Sequence, residues 1–577
     1  MSRRTTISSD IPMFSEGLLH SITSSYTKNL KMGISSINSI HRAISMSRVY
    51  GGLGLLYYDR LESDLDKILQ VDINTTRTET RGTVKERSIK LALEMSARGI
   101  KEKDIIVICS QNNVDETIVI LASLFLGAIV APLDPEASYK EKELLIKKLR
   151  PKMCFVDSRT LTYVQRILHN NKLRGTAINF SVESSGISEF SKLLNHKEDE
   201  KFRPVNIADP KRTVAFILPT QGTTDFPKLV CVSHDNIRLQ CLIFIEIFPD
   251  LINVLSFFPL SWYFHLVIIC VCLEFVVTLI IPRPFNERNG CKIIQDFNVE
   301  CIIIGTDYAI RLFHGSAAKD FNLNCLKSVL IGLNSTLKHD MFSLKQSMPK
   351  VMFVSSYFLV ETGCIAATKT IDYNSIIAER PMTVGSVTLN CKVKIIDVKT
   401  KEICPPRKYG EIYYTGDGLM LGYFKDPEKT LQSREKGYFR TGDIGMFDEL
   451  GWLYVLGRFE DMIEFDEWSL SPMDIEEVIL RHPAVKDAVV VGNAKEVVAL
   501  VKKYPDAKFE ESDLTRHIGE SLPSKYWPSR IILQDHFPRT TVGSVRRKKI
   551  REDLLQVTVR YSSSMSVVSE LATITKK

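Results

Sequence analysis

The segment LPTQGTTDFPKLVCVSHDNI brings Gly222, Thr223 and Thr224 together, with Lys228 four residues after Thr224. A glycine gives a flexible backbone position, two hydroxyls give short polar contacts, and an ammonium gives charge. Backbone N–H groups, hydroxyls and a cation in this order suit a polyphosphate. A polar turn after a strand has the same composition often enough that the segment alone decides nothing. Two further blocks add chemistry. Ser356-Tyr357-Phe358-Leu359-Val360-Glu361-Thr362 runs on from the apolar VMFVSS and offers an aromatic ring and a carboxylate at a strand end. GYFRTGDIG places Asp443 in a glycine-flanked turn, and DELGWLYVLGRFED follows with Arg458 and Glu460. Taken singly, Asp443 and Arg458 read equally as turn and surface residues, and Lys228 as a solvated lysine.

These side chains can meet only if the elements before them end side by side. From about residue 70 helical and strand patterns alternate: VKERSIKLALEMSARGI is an amphipathic helix and KDIIVICS an apolar strand. ETIVILASLFLGAIVAPLDP is a buried helix running into a strand, followed by KEKELLIKKL (helix) and KMCFVD (strand). TVAFIL, NVECIIIG, SVLIGL and VMFVSS continue the rhythm. Such alternation predicts a parallel, doubly wound sheet, which sets its strand ends along one side. After about residue 385 the pattern becomes short strands (KVKIIDV, EIYYTG, GWLYVLG), as in a small barrel or twisted sheet. Beyond Arg458, Ser471-Pro472-Met473-Asp474 opens a helix with Pro at its first position and Ile475, Val478 and Ile479 as its buried stripe. DAVVVG and EVVALVKK then form a hairpin around Asn493-Ala494. The expected fold is therefore α/β: a large domain of doubly wound sheets with a β-barrel-like subdomain over 46–457, then a smaller α+β domain over 458–577.

At 577 residues the chain is too long for one core. A net charge of +7, thinly spread, does not mark a nucleic-acid binder, and no nucleic-acid partner is expected. Twelve cysteines without a CxxC pair read as reduced, buried thiols, and Cys270 and Cys272 flank a single residue in an apolar run, a poor geometry for a metal. The expected compartment is therefore intracellular, most simply the cytoplasm. Residues 1–45, rich in Ser, Thr and Arg, suit a disordered extension or a mitochondrial transit peptide, with Met32 and Met46 as alternative starts. Thr575-Lys576-Lys577 is not a peroxisomal address. The apolar stretch from Leu251 to Ile281 carries His265 and Glu274, with Pro259 and Pro282 around it. It reads as a buried helix followed by the buried parallel strand VVTLIIP, so no transmembrane segment is expected; a membrane span is the competing reading.

In their order along the chain, the three blocks resemble the adenylate-forming (AMP-binding) superfamily of acyl-CoA synthetases, coumarate-CoA ligases and firefly-type luciferases. The resemblance covers about residues 55–555, and VICSQN…LGAIVAPLDP looks most like the insect luciferase-like acyl-CoA synthetases. It implies activation of a carboxylic acid, fatty or aromatic, by ATP to an acyl-adenylate. Transfer to coenzyme A would follow, with the mobile C-terminal domain swinging between the two half-reactions. It further implies that Gly222, Thr223, Thr224 and Lys228 face the phosphates and that Tyr357 stacks on adenine. Glu361, with Thr223, would hold Mg²⁺; Asp443 and Arg458 would hold the ribose; Glu460 would be the hinge. Light emission does not follow from the resemblance.

The match is broken where the chemistry is most demanding. The family motif Pro-Lys-Thr-x-x-Gly-Lys reads Pro538-Arg539-Thr540-Thr541-Val542-Gly543-Ser544 here, so Ser544 replaces the lysine that bridges carboxylate and α-phosphate. Arg546 and Arg547 are near enough in sequence for a shifted loop to substitute. Gln221, Asp225 and Leu229 replace small residues of the phosphate loop, and Phe358 and Val360 narrow the nucleotide site. Trp262 stands where relatives often have His, and Glu464-Phe465-Asp466-Glu467 crowds the expected pantetheine passage, which puts coenzyme A in question. Two functions follow as expectations: an acyl-CoA synthetase with weakened adenylation, or an inactive pseudoenzyme that binds nucleotide or acyl ligand in a regulatory role.

Overall fold

The computed structural model describes residues 51–554 apart from 182–187, 197–200, 221–226, 283, 332–337, 371–379, 381, 465–468, 493–495, 506, 509 and 539–544. All described residues belong to one compact unit that starts at Val49. The readings made on Gln221, Gly222, Thr223, Thr224, Asp225, Glu467 and Ser544, and the Asn493-Ala494 turn, lie outside the described residues.

Among the described residues, seven strands form one sheet, in the order Gly422–Tyr423, Leu229–Ser233, Val214–Pro219, Ile129–Pro132, Ile105–Cys109, Met153–Val156, Thr176–Asn179. Val214–Pro219 and the four strands beyond it are parallel, and the first two strands are antiparallel additions at the edge. A nine-stranded sheet repeats the design: five strands and the first half of Met352–Leu359 run parallel, with antiparallel strands at both edges. Apolar side chains of both sheets join the helices Val114–Phe125, His234–Ile247 and Tyr263–Glu274 in one continuous core.

All twelve residues of Tyr263–Glu274 are buried, which explains an apolar run with no polar face. Its two misfit side chains each have a polar partner inside the core, although Glu274 Oε2 has none among the described residues. His265 Nδ1 lies 3.1 Å from Ser256 Oγ, and burial lowers its pKa to about 4, so the imidazole stays neutral. Glu274 pairs with Arg238 at 3.3 Å. Twelve residues span about 18 Å, well short of a bilayer core. Among the described residues no helix is long and apolar enough to cross a membrane. The expected strand follows as Thr278–Ile281, parallel to both neighbours, but a strand that sequence reading passed over, Asn253–Ser256, precedes the helix.

A five-stranded antiparallel sheet carries Cys391–Ile396, Gly410–Gly416, Tyr438–Phe447, Arg434–Glu435 and Leu453–Arg458. Here one expectation is corrected: Asp443 lies within the ten-residue strand Tyr438–Phe447, not in a turn. Gly442 and Gly445 mimic a turn signal, yet the strand is paired along both edges, and that hydrogen bonding outweighs the glycines. The smaller α+β C-terminal portion has the hairpin Val485–Gly492 and Val497–Lys503, with Arg530–Leu533 added in parallel. Pro472–Leu480 packs beside it, capped by Ser471 Oγ accepting from Met473 N at 3.3 Å. Ile475, Val478 and Ile479 are buried as the periodicity required.

Candidate active site

Parallel pairing of Met352–Leu359 ends at Ser355, and from Ser356 the chain pairs antiparallel with Gly363–Ala367. Tyr357 and Glu361 therefore stand beyond the carboxyl end of the parallel sheet, where open α/β sheets hold ligands. Gly363 starts the return strand at φ 68°, and a Cβ there would meet the Gln240 side chain at 2.2 Å. Gln240 Oε1 in turn accepts from Cys364 N at 2.8 Å, so glycine and glutamine together set the turn that presents Glu361.

Asp443 and Arg458 face each other across adjacent strands. Ile444 pairs with Gly457 but Gly445 pairs with Val455, which leaves Leu456 as the extra residue of a bulge. That bulge re-aims the end of the strand and brings Arg458 Nε to 3.2 Å from Asp443 Oδ1. Tyr357 Oη donates to Asp443 Oδ2 at 2.5 Å, and Arg458 Nη1 donates to Thr441 O at 2.9 Å. Burial pushes the Asp443 carboxyl up, and Arg458 opposes that shift most strongly. Burial and the same carboxylate push the Tyr357 phenol up, so Tyr357 remains a donor. Each Asp443 oxygen retains acceptor capacity beyond its one protein donor.

Lys228, Tyr357, Glu361, Asp443 and Arg458 all line one cleft of about 2060 Å³. Glu361 Oε1 accepts from Tyr423 Oη at 2.9 Å, and Lys228 Nζ stands 5.0 Å from the Tyr423 ring centroid. Neither Tyr423 nor its bond to Glu361 is signalled by motif or spacing. Phe358 lies tilted against Phe264 and edge-on to Tyr263, at centroid distances of 4.1 and 5.0 Å, and Trp262 stacks on Phe258 at 5.1 Å. Leu229 is buried in the core beside the sheet rather than in the cleft. Glu460 occupies the short turn Phe459–Asp461, and Arg551 donates to its carbonyl and to Asp461.

The arginines near position 544 have different fates. Arg547 grips Glu476, with Nη2 2.8 Å from Oε2, and donates to Val490 O at 2.8 Å. Burial disfavours its charge, and Glu476, with Asp461 and Asp487, more than offsets this. Arg547 is thus committed within the small domain, a pairing across 71 residues that sequence reading does not reach. Arg546 lines the cleft, as does Glu141 from the helix Tyr139–Leu149.

The AMP-binding enzyme model matches residues 59–424, and the AMP-binding enzyme C-terminal domain model matches 474–544. The chain belongs to the AMP-binding enzyme family. This AMP-binding family member is 24% identical to 4-coumarate–CoA ligase 4 of Arabidopsis thaliana, over 84% of this chain and 88% of the relative. It is 25% identical to luciferin 4-monooxygenase of Photuris pensylvanica, over 81% and 88%. Its fold matches that of ATP-bound MatB from Rhodopseudomonas palustris with a TM-score of 0.79 at 21% identity, over 87% of this chain and 98% of that one. The donor set of the family member fits nucleotide and cation: Glu361 offers a hard carboxylate oxygen of the kind Mg²⁺ takes, and Asp443 is a buried acceptor of the kind that suits hydroxyls.

Proposed function

We propose that this protein uses ATP to activate a carboxylic acid as an acyl-adenylate for transfer to coenzyme A, slowly, because Ser544 stands in place of the adenylation lysine. The observation that supports it is the convergence of Lys228, Tyr357, Glu361, Asp443 and Arg458, from well-separated segments, on a single cleft. Asp443, steadied by Tyr357 and Arg458, accepts the ribose hydroxyls; the Tyr357 ring packs on the base. Lys228 balances phosphate charge, and Gly222, Thr223 and Thr224 complete that grip. Glu361, with Thr223, would hold Mg²⁺, which when bound neutralises charge between phosphates. Phe358, close against Phe264 and Tyr263, narrows the nucleotide site. The large domain would end near residue 457, with Glu460 as the hinge of the small one.

Millimolar Mg·ATP is expected to raise the melting temperature of the full chain. A ligand at one hundred times its Kd adds about 2.7 kcal/mol of stability. Asp443→Asn is expected to weaken ATP at least tenfold, because it replaces a charged acceptor of hydroxyl bonds with a neutral one. Calorimetric titration measures this, and unchanged affinity would remove Asp443 from the site. The second reading, a nucleotide-binding pseudoenzyme, draws on the commitment of Arg547 to Glu476. It predicts the same ATP-induced shift with no acid-dependent pyrophosphate exchange.

A further inference from the structure

The two-residue strand Gly422–Tyr423 forms the edge of the seven-stranded sheet, with Tyr423 opposite Val230. Its backbone ties together two parts of the cleft. Phe424 N donates to Leu229 O at 2.7 Å, next to Lys228, and Met420 N donates to Glu361 O at 2.7 Å. The Tyr423 ring is 6% exposed. Its hydroxyl donates to Glu361 Oε1 at 2.9 Å. Lys228 and Glu361 carry opposite charges on the same cleft, yet each contacts Tyr423 and they form no ion pair with each other. A tyrosine needed only for packing would not require its hydroxyl on one charge and its ring under the other.

We infer that Tyr423 is a positioning residue that holds Glu361 and Lys228 apart, leaving the carboxylate for a divalent cation and the ammonium for phosphate. Without the hydroxyl, Glu361 is free to swing toward Lys228 and the two charges satisfy each other. The inference rests on the nucleotide-binding reading above.

The test uses the full chain and the Mg²⁺ concentration that half-saturates ATP-induced thermal protection. Tyr423→Phe keeps the ring and loses the hydrogen bond. It is expected to raise that concentration about tenfold, the effect of one hydrogen bond to a charged group. The ligand-free melting temperature should stay near wild type. Tyr423→Leu removes the ring as well and should also weaken ATP at saturating Mg²⁺. A purely structural tyrosine would lower the ligand-free melting temperature and leave the Mg²⁺ requirement alone, which overturns the proposal. Glu361→Gln is the control. If it shifts the Mg²⁺ requirement and Tyr423→Phe does not, the role of Tyr423 is wrong. If Glu361→Gln itself has no effect, the metal-binding reading fails and takes the proposal with it.

Discussion

Replacing Ser544 by lysine is expected to raise acid-dependent ATP–pyrophosphate exchange by roughly 10²- to 10³-fold. Adenylation gathers negative charge around the α-phosphorus, and a positioned donor or cation there contributes on that scale. Serine carries no charge to offer. Arg547 does not replace it, being held by Glu476 and by Val490 O. The measurement is exchange at saturating ATP with a panel of fatty and aromatic acids. No gain in Ser544→Lys would shift the defect to Asp225 or to Phe358, and pairing the lysine with Phe358→Gly would then separate those two.

Glu476→Gln is expected to destabilise the small domain by about 3 kcal/mol, the low end of the cost of breaking a buried ion pair. The Glu476 side chain is 4% exposed and that of Arg547 19%, so little water is available to take over. The carboxylate also accepts from Val490 N at 2.6 Å, which links the helix Pro472–Leu480 to the strand Val485–Gly492. Urea unfolding of the full chain should show an early transition for this region, absent from wild type. A variant within about 0.5 kcal/mol of wild type, the range of an ordinary surface substitution, would mean that solvent already carries the pair.

Local pattern made much of this architecture legible. Continuous apolar runs of four or five residues, alternating with amphipathic helices, place the parallel strands, and Ser471-Pro472 marks a helix start that the structure keeps. Local pattern fails where pairing at long range decides. Glycines 442 and 445 suggest a turn, and only the flanking strands show Asp443 to be in a ladder with Arg458 opposite. Asn253–Ser256 passes unnoticed because the residues after it are as apolar as the strand, so no change of period marks its end. The Leu456 bulge, the contact of Tyr423 with Glu361 and that of Glu476 with Arg547 join residues far apart in sequence, and no spacing announces them. The aromatic lining of the cleft is hidden for the same reason: Trp262, Tyr263 and Phe264 come from one segment and Phe358 from another.

On the function proposed above, the cleft keeps its grip on nucleotide while Ser544 leaves the chemical step without its lysine. Rapid-quench measurement of acyl-adenylate formation by the wild-type protein, saturated with Mg·ATP and offered the acid panel, tests it most directly. A median enzyme turns over at about 10 s⁻¹, and loss of the stabilising charge should leave about 0.01–0.1 s⁻¹. Adenylate formed at 10 s⁻¹ or faster would contradict a weakened adenylation step, because another cation would then have to reach the α-phosphorus.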